Sequence, residues 1–452
     1  MKKTKRSMAV ILVLLLASVA GAQQTKKSKV EFKDLKLKNG LRVLLVEDHT
    51  APVISLAVNY DVGSRNERKG RTGFAHLFEH MMFQGSENVG KSEHFILIET
   101  NGGGMNGTTS EERTLYFETL PANQLELALF LEADRMRGLD ISKENLDNQR
   151  NAVQEERRLS LDNQPYGRLF EKFGETMYDN FAYKHSVIGS MDDLNAASVE
   201  DVREFFRIYY APNNAVLALV GDFKPDDALA KIKKYFENIP SQPKPDPVDT
   251  TEPAQAGERR FTVDDHLAQL PLLLIGYKGV IGNTPDAYAL QVLGTVLGGG
   301  QSSRLYQKLV KEKQLALGAG AGVDARRGPG AFQINVTVAP GKKAEDVEAA
   351  VYEEIARLQK EPIADWELDK AKQFAKRNAI QSRQSSLGLA IRLVEATVSY
   401  NDPNLVYTGY DKLAAVTKAD VQRVANSYLK ETNRTVGLAV PKPKAAAPAA
   451  GN

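Results

Sequence analysis

The feature that most limits how this 452-residue chain can fold is that it repeats itself. Asp201, Val202, Tyr209, Asn214 and Leu219 recur as Asp420, Val421, Tyr428, Asn433 and Leu438, all at one offset of 219 positions (420 against 201). In both copies the identities fall at the same places in a pattern that reads as a helix followed by a strand, which marks a duplicated domain. Between the copies, residues 239–257 are rich in proline and poor in large apolar side chains. Such a stretch cannot serve as a core element and reads as an interdomain linker. The chain is also longer than one hydrophobic core usually organises. The expected organisation is a first domain at 28–238, the linker at 239–257, and a homologous second domain at 258–440. A Pro/Ala-rich tail at 441–452 is expected to be disordered.

Periodicity gives each domain an α+β character. Leu35 to Val46 alternates around Asn39-Gly40 as a hairpin would, and Val53 to Tyr60 reads as a strand. Helical patterns follow at Ser92–Thr100, at Gln124–Met136, and at Lys143–Leu159 behind Ser142 as N-cap. Gly102-Gly103-Gly104 breaks the helix before a strand over Met105–Leu120 and reads as a flexible approach to the site, because no Gly-Lys-Ser/Thr follows to make it a phosphate cradle.

The chemistry concentrates in Gly73-Phe-Ala-His76-Leu-Phe-Glu79-His80-Met-Met-Phe-Gln-Gly85. On a helix, His76 and His80 stand one turn apart on the same face, where two imidazoles can grip one metal ion. Glu79 leans toward that face and can hold a water against the metal, the zincin arrangement in reverse order. Two histidines and a glutamate can share a helix surface by chance, but with only six histidines in the chain a match to this pattern is improbable. Thr72 reads as the N-cap of this helix and Gly85 as its stop, with Phe74, Leu77, Phe78, Met81 and Met82 packing around the polar stripe. A catalytic zinc takes three protein ligands, so a carboxylate must come from elsewhere. Glu155 and Glu156 are adjacent candidates, although beside Arg157 and Arg158 either one alone fits a solvated helix face.

Composition closes off other routes. The net charge is +2, which gives no reason to expect nucleic acid or an acidic membrane surface as partner. No cysteine is present, which excludes disulfides, thiolate zinc sites and cysteine nucleophiles. Lys2, Lys3, Lys5 and Arg6 precede an apolar run from Met8 to Val19 and then Ala20-Gly21-Ala22, the form of a signal peptide cleaved before Gln23. The run is short for a bilayer span, so no stable membrane span is expected after cleavage, and the location expected is periplasmic or secreted.

With the inverted motif, the duplication and the linker together, the chain resembles the pitrilysin/insulinase family of zinc peptidases, which includes the mitochondrial processing peptidase. The resemblance implies two homologous domains, each a mixed β-sheet covered by helices, forming half of a clamshell made by two chains. It implies Zn2+ held by His76 and His80, with Glu79 as the base that activates water. The family's third ligand ends an Asn-Ala-Val-x-x-Glu-like segment. Asn151-Ala-Val-Gln-Glu-Glu156 matches it, 76 positions after His80 (156 against 80), which selects Glu156 over Glu155. Peptide substrates are held in the family as an added strand near an Asn-Ala/Gly pair, here Asn106-Gly107.

Two departures stand out. Gln149 occupies a place often acidic in the family, seven positions before the third ligand. The second domain of active members also carries an arginine and a tyrosine in a Leu-Arg-x-x-x-Gln-Leu-x-Tyr segment, whereas Leu309–Leu317 here has Val310 and Leu317 at those places. Arg304 and Tyr306 lie nearby at a different spacing and read as helix-start residues. The resemblance therefore implies a zinc-dependent endopeptidase or oligopeptidase acting in a closed chamber. This chain would be the zinc-bearing subunit of a heterodimer whose second subunit carries the Arg/Tyr pair, or otherwise a homodimer. The rival is a non-catalytic structural or peptide-binding subunit.

Overall fold

The computed structural model describes residues 31–442. The expected signal segment and all of the tail beyond residue 442 lie outside them. Two mixed sheets organise the chain. The first contains β1 (Lys33–Lys36), β2 (Arg42–Glu47), β3 (Val53–Tyr60), β4 (Gly104–Thr109), β5 (Thr114–Pro121) and β6 (Ala215–Gly221), in the spatial order β1-β2-β6-β3-β5-β4. The second contains β7 (Arg259–Asp265), β8 (Leu272–Ile281), β9 (Ala316–Asp324), β10 (Pro329–Val338) and β11 (Arg434–Pro441), ordered β7-β11-β8-β10-β9. Apart from β1, the two orders are the same. In each, the last strand pairs parallel to the strand on one side and antiparallel to the strand on the other, as β6 does with β2 and β3 and β11 with β7 and β8.

The longer helices of the first half are α1 (Phe74–Met81), α2 (Glu93–Thr100), α3 (Leu125–Arg137), α4 (Lys143–Arg157), α5 (Gly167–Met177), α6 (Val199–Tyr209) and α7 (Pro225–Phe236). Those of the second are α8 (Pro285–Gly298), α9 (Ala344–Lys360), α10 (Asp365–Gln381), α11 (Ser386–Tyr400), α12 (Leu405–Ala414) and α13 (Lys418–Tyr428). The repeated residues do the same work twice. Asp201 and Asp420 complete capping boxes with Ser198 and Thr417 at the starts of α6 and α13. Asn214 Nδ2 donates to the carbonyls of Tyr209 and Asp61, and Asn433 Nδ2 to those of Tyr428 and Lys278.

The central strands of the first sheet are buried on both faces, which explains why β3 and β6 read as nearly unbroken apolar runs. One face of the first sheet, with Val43, Leu45, Leu56, Val58, Leu217 and Leu219, packs under α1, α3, α6 and α7 as one core. Its other face is covered by α11, which comes from the second half and meets β3 and β6. The exchange is reciprocal: Leu169, Phe173 and Met177 of α5 pack on Leu272, Leu274, Ala331 and Ala439 of the second sheet. These two helices are themselves repeat partners at the same offset of 219 (386 against 167). Each half therefore completes the core of the other, and the two sheets lie in one compact unit.

The turn between β4 and β5 fastens the halves electrostatically. Glu112 is bound by Arg327 at 2.7 Å and by the Tyr183 hydroxyl, and Glu111 by Arg326 at 2.8 Å, while Arg327 also reaches Asp61 at 2.7 Å. The strand expected over Met105–Leu120 is thus a hairpin, turned at residues 110–113, because Ser110 and Arg113 close it and its acidic tip is satisfied by the second half. Residues 239–257 contain neither helix nor strand, yet they are anchored: Glu252 accepts from Lys278 Nζ at 2.6 Å.

Candidate metal centre

α1 is short, and six of its eight side chains are buried, five apolar or aromatic and one a carboxylate: Phe74, Ala75, Leu77, Phe78, Met81 and Glu79. Phe78 packs against Phe205, Phe206 and Tyr210 with ring centroids 4.2–5.9 Å apart, which fixes the rotation of the helix. The polar stripe that remains faces α4. His76 Nε2 lies 3.6 Å and His80 Nε2 3.3 Å from the same oxygen, Oε2 of Glu156. The donor atoms of the three residues all lie within 4.8 Å of one another. A tetrahedral zinc with ligands at about 2.1 Å sets neighbouring donors about 3.4 Å apart, so two imidazoles and one carboxylate at these separations fit the ion. Glu155 turns away to Arg158, 3.0 Å distant.

The two imidazoles differ in protonation. Burial, and then the neighbouring His80, hold the His76 imidazole down at about 4, so it is neutral at ordinary pH. For His80, burial is outweighed by Glu156 and Glu79, and its pKa is raised; Glu156 is correspondingly lowered by its hydrogen bond from His80. Gln149 Nε2 donates to Asn148 Oδ1 at 2.7 Å, which leaves Gln149 Oε1 facing His80 Nδ1 at 3.3 Å. Nδ1 of His80 thereby donates to Gln149, so that once the ring gives up the proton it shares with Glu156 the Nε2 lone pair is left on the side of Glu156. Gln149 supplies the acceptor that the departure from an acidic residue had put in question, without the charge.

Glu79 stands between α1 and the edge strand β4. Its Oε2 accepts from Thr109 Oγ1 at 2.5 Å, and its pKa is raised by burial, with Thr109 and His80 opposing. Gly107 is needed here for space: a Cβ on it would lie 3.0 Å from Glu79 Cγ. Asn106, next to it, is exposed at the strand edge and accepts from the Gly107 N–H at 2.8 Å through its side chain. A pocket of about 500 Å³ opens over these groups, floored by His76, His80 and Glu156, with residues 106–109 along one side and Val187 and Ile188 along another.

Some expectations need correction. Thr72 does not cap α1. Its N–H and hydroxyl are bound to Asp193 at 3.0 and 2.5 Å, and the N-cap position is Gly73, with φ at 85°. Glu67, not singled out in the sequence, takes that role across a loop. Gly85 does not end the helix, which closes at Met82. The helix expected to reach Leu159 ends at Arg157 and widens into a π turn over Arg158–Asp162. Gly103 is not a flexible approach, since a Cβ there would meet Leu120 and Thr119 at 2.7 Å. Val187 and Ile188 lie in a loop without periodicity. Thr109 could have been found, because on a strand it shares a face with Gly107.

In the second half, Arg304 is held bidentately by Glu367 at 2.7 Å on each arm. Tyr306 starts a π turn that runs to Glu312, with Val310 packed partly into the second core, whereas Leu317 is exposed on β9.

This is a candidate metal site built on an inverted His-x-x-Glu-His motif. A model described as Insulinase (Peptidase family M16) matches residues 42–190, and one described as Peptidase M16 inactive domain matches residues 196–374. The zinc protease PqqE of Helicobacter pylori is 32% identical over 427 residues, covering 93% of this chain and 96% of that protein. The chain belongs to the insulinase family of peptidases. The crystal structure of a protease from Helicobacter pylori superposes with a TM-score of 0.86 at 32% identity, covering 91% of this chain and all of that one. The periplasmic protease PqqL of Escherichia coli shares the fold, with a TM-score of 0.73 at 20% identity, and there 91% of this chain spans 48% of the longer one. A probable β subunit of the mitochondrial processing peptidase from Arabidopsis thaliana is 24% identical over 92% of this chain.

Proposed function

We propose that the chain is a zinc-dependent endopeptidase or oligopeptidase subunit acting on peptides or unfolded segments. The observation that carries this reading is the convergence of His76, His80 and Glu156 on one point, with Glu79 beside it at the edge of β4. Zinc bound there supplies acidification of water and polarisation of a carbonyl. His76, His80 and Glu156 hold the ion, and Gln149 keeps His80 in the tautomer that can bind it. Glu79 takes the proton of the attacking water and passes it to the leaving amine; its raised pKa brings it closer to the pH at which such exchange is efficient. Asn106 and Gly107, on an open strand edge, receive the peptide backbone as an added strand, a mode tolerant of side-chain identity.

Pairing with a second subunit of the same fold is supported by three facts. Val310 and Leu317 stand where active members carry Arg and Tyr, Arg304 is already bound to Glu367, and PqqL joins about two lengths of this fold in one chain. A heterodimer with a subunit bearing the Arg/Tyr pair is the form proposed, in the periplasm or outside the cell. The same observations favour, as second reading, a non-catalytic peptide-binding subunit. The test is Glu79→Gln assayed on a quenched peptide library, with and without the partner. Zinc uptake is expected to persist while turnover falls by about 10²–10⁴-fold. Unchanged turnover would remove Glu79 from the chemistry, and a parent that binds zinc without turnover in any combination would establish the second reading.

A further inference from the structure

A fully buried side-chain carboxylate lies behind the first turn of α1. Glu67 Oε1 accepts from Ala75 N–H at 2.8 Å and Oε2 from Gly73 N–H at 2.9 Å. These are two of the four N–H groups that the start of a helix cannot satisfy for itself, and the glycine N-cap has no side chain to take them. Thr72 is engaged with Asp193 and unable to help. Glu67 Oε2 also meets His185 Nε2 at 2.9 Å. The other ring nitrogen of His185 faces the Phe181 carbonyl at 2.8 Å, and Nε2 additionally faces the Ser64 carbonyl at 3.0 Å. Carbonyl oxygens only accept, so the ring donates from both nitrogens and the contact with Glu67 is an ion pair. The Phe181 ring stacks on it at 4.4 Å. Burial pulls His185 down, but Glu67 and the two carbonyls outweigh it and raise its pKa.

The pair ties together three pieces that frame the pocket. Glu67 holds the turn that carries His76. His185 begins the loop that places Val187 and Ile188 in the pocket wall, where Gly189 and Gly73 approach so closely that a Cβ on Gly189 would lie 2.4 Å from Gly73 N. Ser64 and Arg65, just before Glu67, donate their N–H groups to the carbonyls of Ser110 and Glu111 in the β4–β5 turn.

We propose that Glu67 and His185 are positioning residues, a buried clamp that caps α1 and sets His76 against the loop of Val187 and Ile188. The inference rests on the reading of His76, His80 and Glu156 as metal ligands. His76 sits in the turn that frays when the cap is lost; His80 sits in the next turn, held by Gln149. Loss of the clamp therefore weakens the metal site by one ligand and leaves the other two in place.

The experiment is zinc affinity of the full chain, measured by competition with a chromophoric chelator at a temperature where circular dichroism shows each variant folded. Glu67→Ala and His185→Ala are each expected to weaken zinc by about 10–100-fold, as removal of a group supporting a ligand does. His185→Gln keeps a donor toward Glu67 and is expected to recover most of the loss. The double variant is expected to be no weaker than Glu67→Ala, because the two act as one unit. A role in stability alone would lower the unfolding midpoint while folded chains bound zinc as the parent does, and that result overturns the clamp. If Glu67→Ala does not fold, the His185 pair decides: equal affinity in His185→Ala and His185→Gln overturns it. A parent chain that takes up no zinc removes the site reading, and the clamp with it.

Discussion

The two halves of this molecule share one topology and differ in what they place at one position. In the first, α1 presents His76 and His80 one turn apart to α4, which supplies Glu156. In the second, α8 presents Gln291 and Thr295 one turn apart to a pocket of about 620 Å³, and α10 contributes Ala371 and Ala375. The contact behind the helix differs too. The side chain of Glu79 fills the space between α1 and β4, whereas a Cβ on Gly294 of α8 would lie 3.2 Å from the Cα of Gly322 on β9. Where the carboxylate is missing, helix and strand close on each other backbone to backbone. The shared residues, Asp201 and Asp420 or Asn214 and Asn433, are caps and backbone anchors. The duplication thus preserved what folds the chain, and the candidate metal site is made of a handful of side chains that only one copy has.

The largest expected difference between the halves is in metal binding. His76→Ala is expected to abolish high-affinity zinc uptake, while Gln291→Ala and Thr295→Ala leave one zinc per chain; metal analysis after dialysis checks this, and zinc in the second half would break the asymmetry. Next is the fastening between the halves. Arg327→Ala removes the second-half partner of Glu112, which keeps Tyr183 and Arg65, and is expected to cost about 2 kcal/mol in urea unfolding. A loss under 1 kcal/mol would mean that the exchanged helices α5 and α11 alone hold the halves together.

The same carboxylate predicts a pH dependence. Burial would raise the Glu112 pKa, but Arg65 and Arg327 outweigh it and lower it below its ordinary 4.5. A group depressed in the folded state adds stability that is present above its unfolded pKa and lost as pH falls through the folded value. The urea midpoint of the parent should therefore drop more steeply below about pH 4.5 than that of Glu112→Gln; parallel curves would exclude the contribution. The smallest effect sharpens the repeat itself. Asp420→Ala removes a cap and is expected to cost about 1 kcal/mol. Asp201→Ala should cost more, because Asp201 also binds Arg71 at 3.0 Å and Arg68 at 2.8 Å. Equal losses in denaturant titrations would show those arginines to be idle.

Much of this was legible in the sequence because it is local or periodic. The i, i+4 spacing of His76 and His80, the Ser142 cap and the Val53–Tyr60 strand depend on neighbours in the chain, and the offset of 219 is visible by inspection. Glu156 needed the family likeness, since its neighbour Glu155 has the same chemistry and only rotation about α4 separates them. What sequence could not supply is tertiary. Nothing local says that α5 and α11 would exchange sheets, that an acidic turn at Glu111-Glu112 would find Arg326 and Arg327, or that α1 would be capped by Glu67 instead of Thr72. The last depends on His185, 118 positions away from Glu67, finding the same buried carboxylate.

The most direct test of the account is diffraction from zinc-soaked crystals on both sides of the zinc absorption edge. One anomalous peak per chain is predicted, within bonding distance of His76 Nε2, His80 Nε2 and a Glu156 carboxylate oxygen, with none in the pocket between α8 and α10. A peak in the second half, or none between α1 and α4, would contradict it.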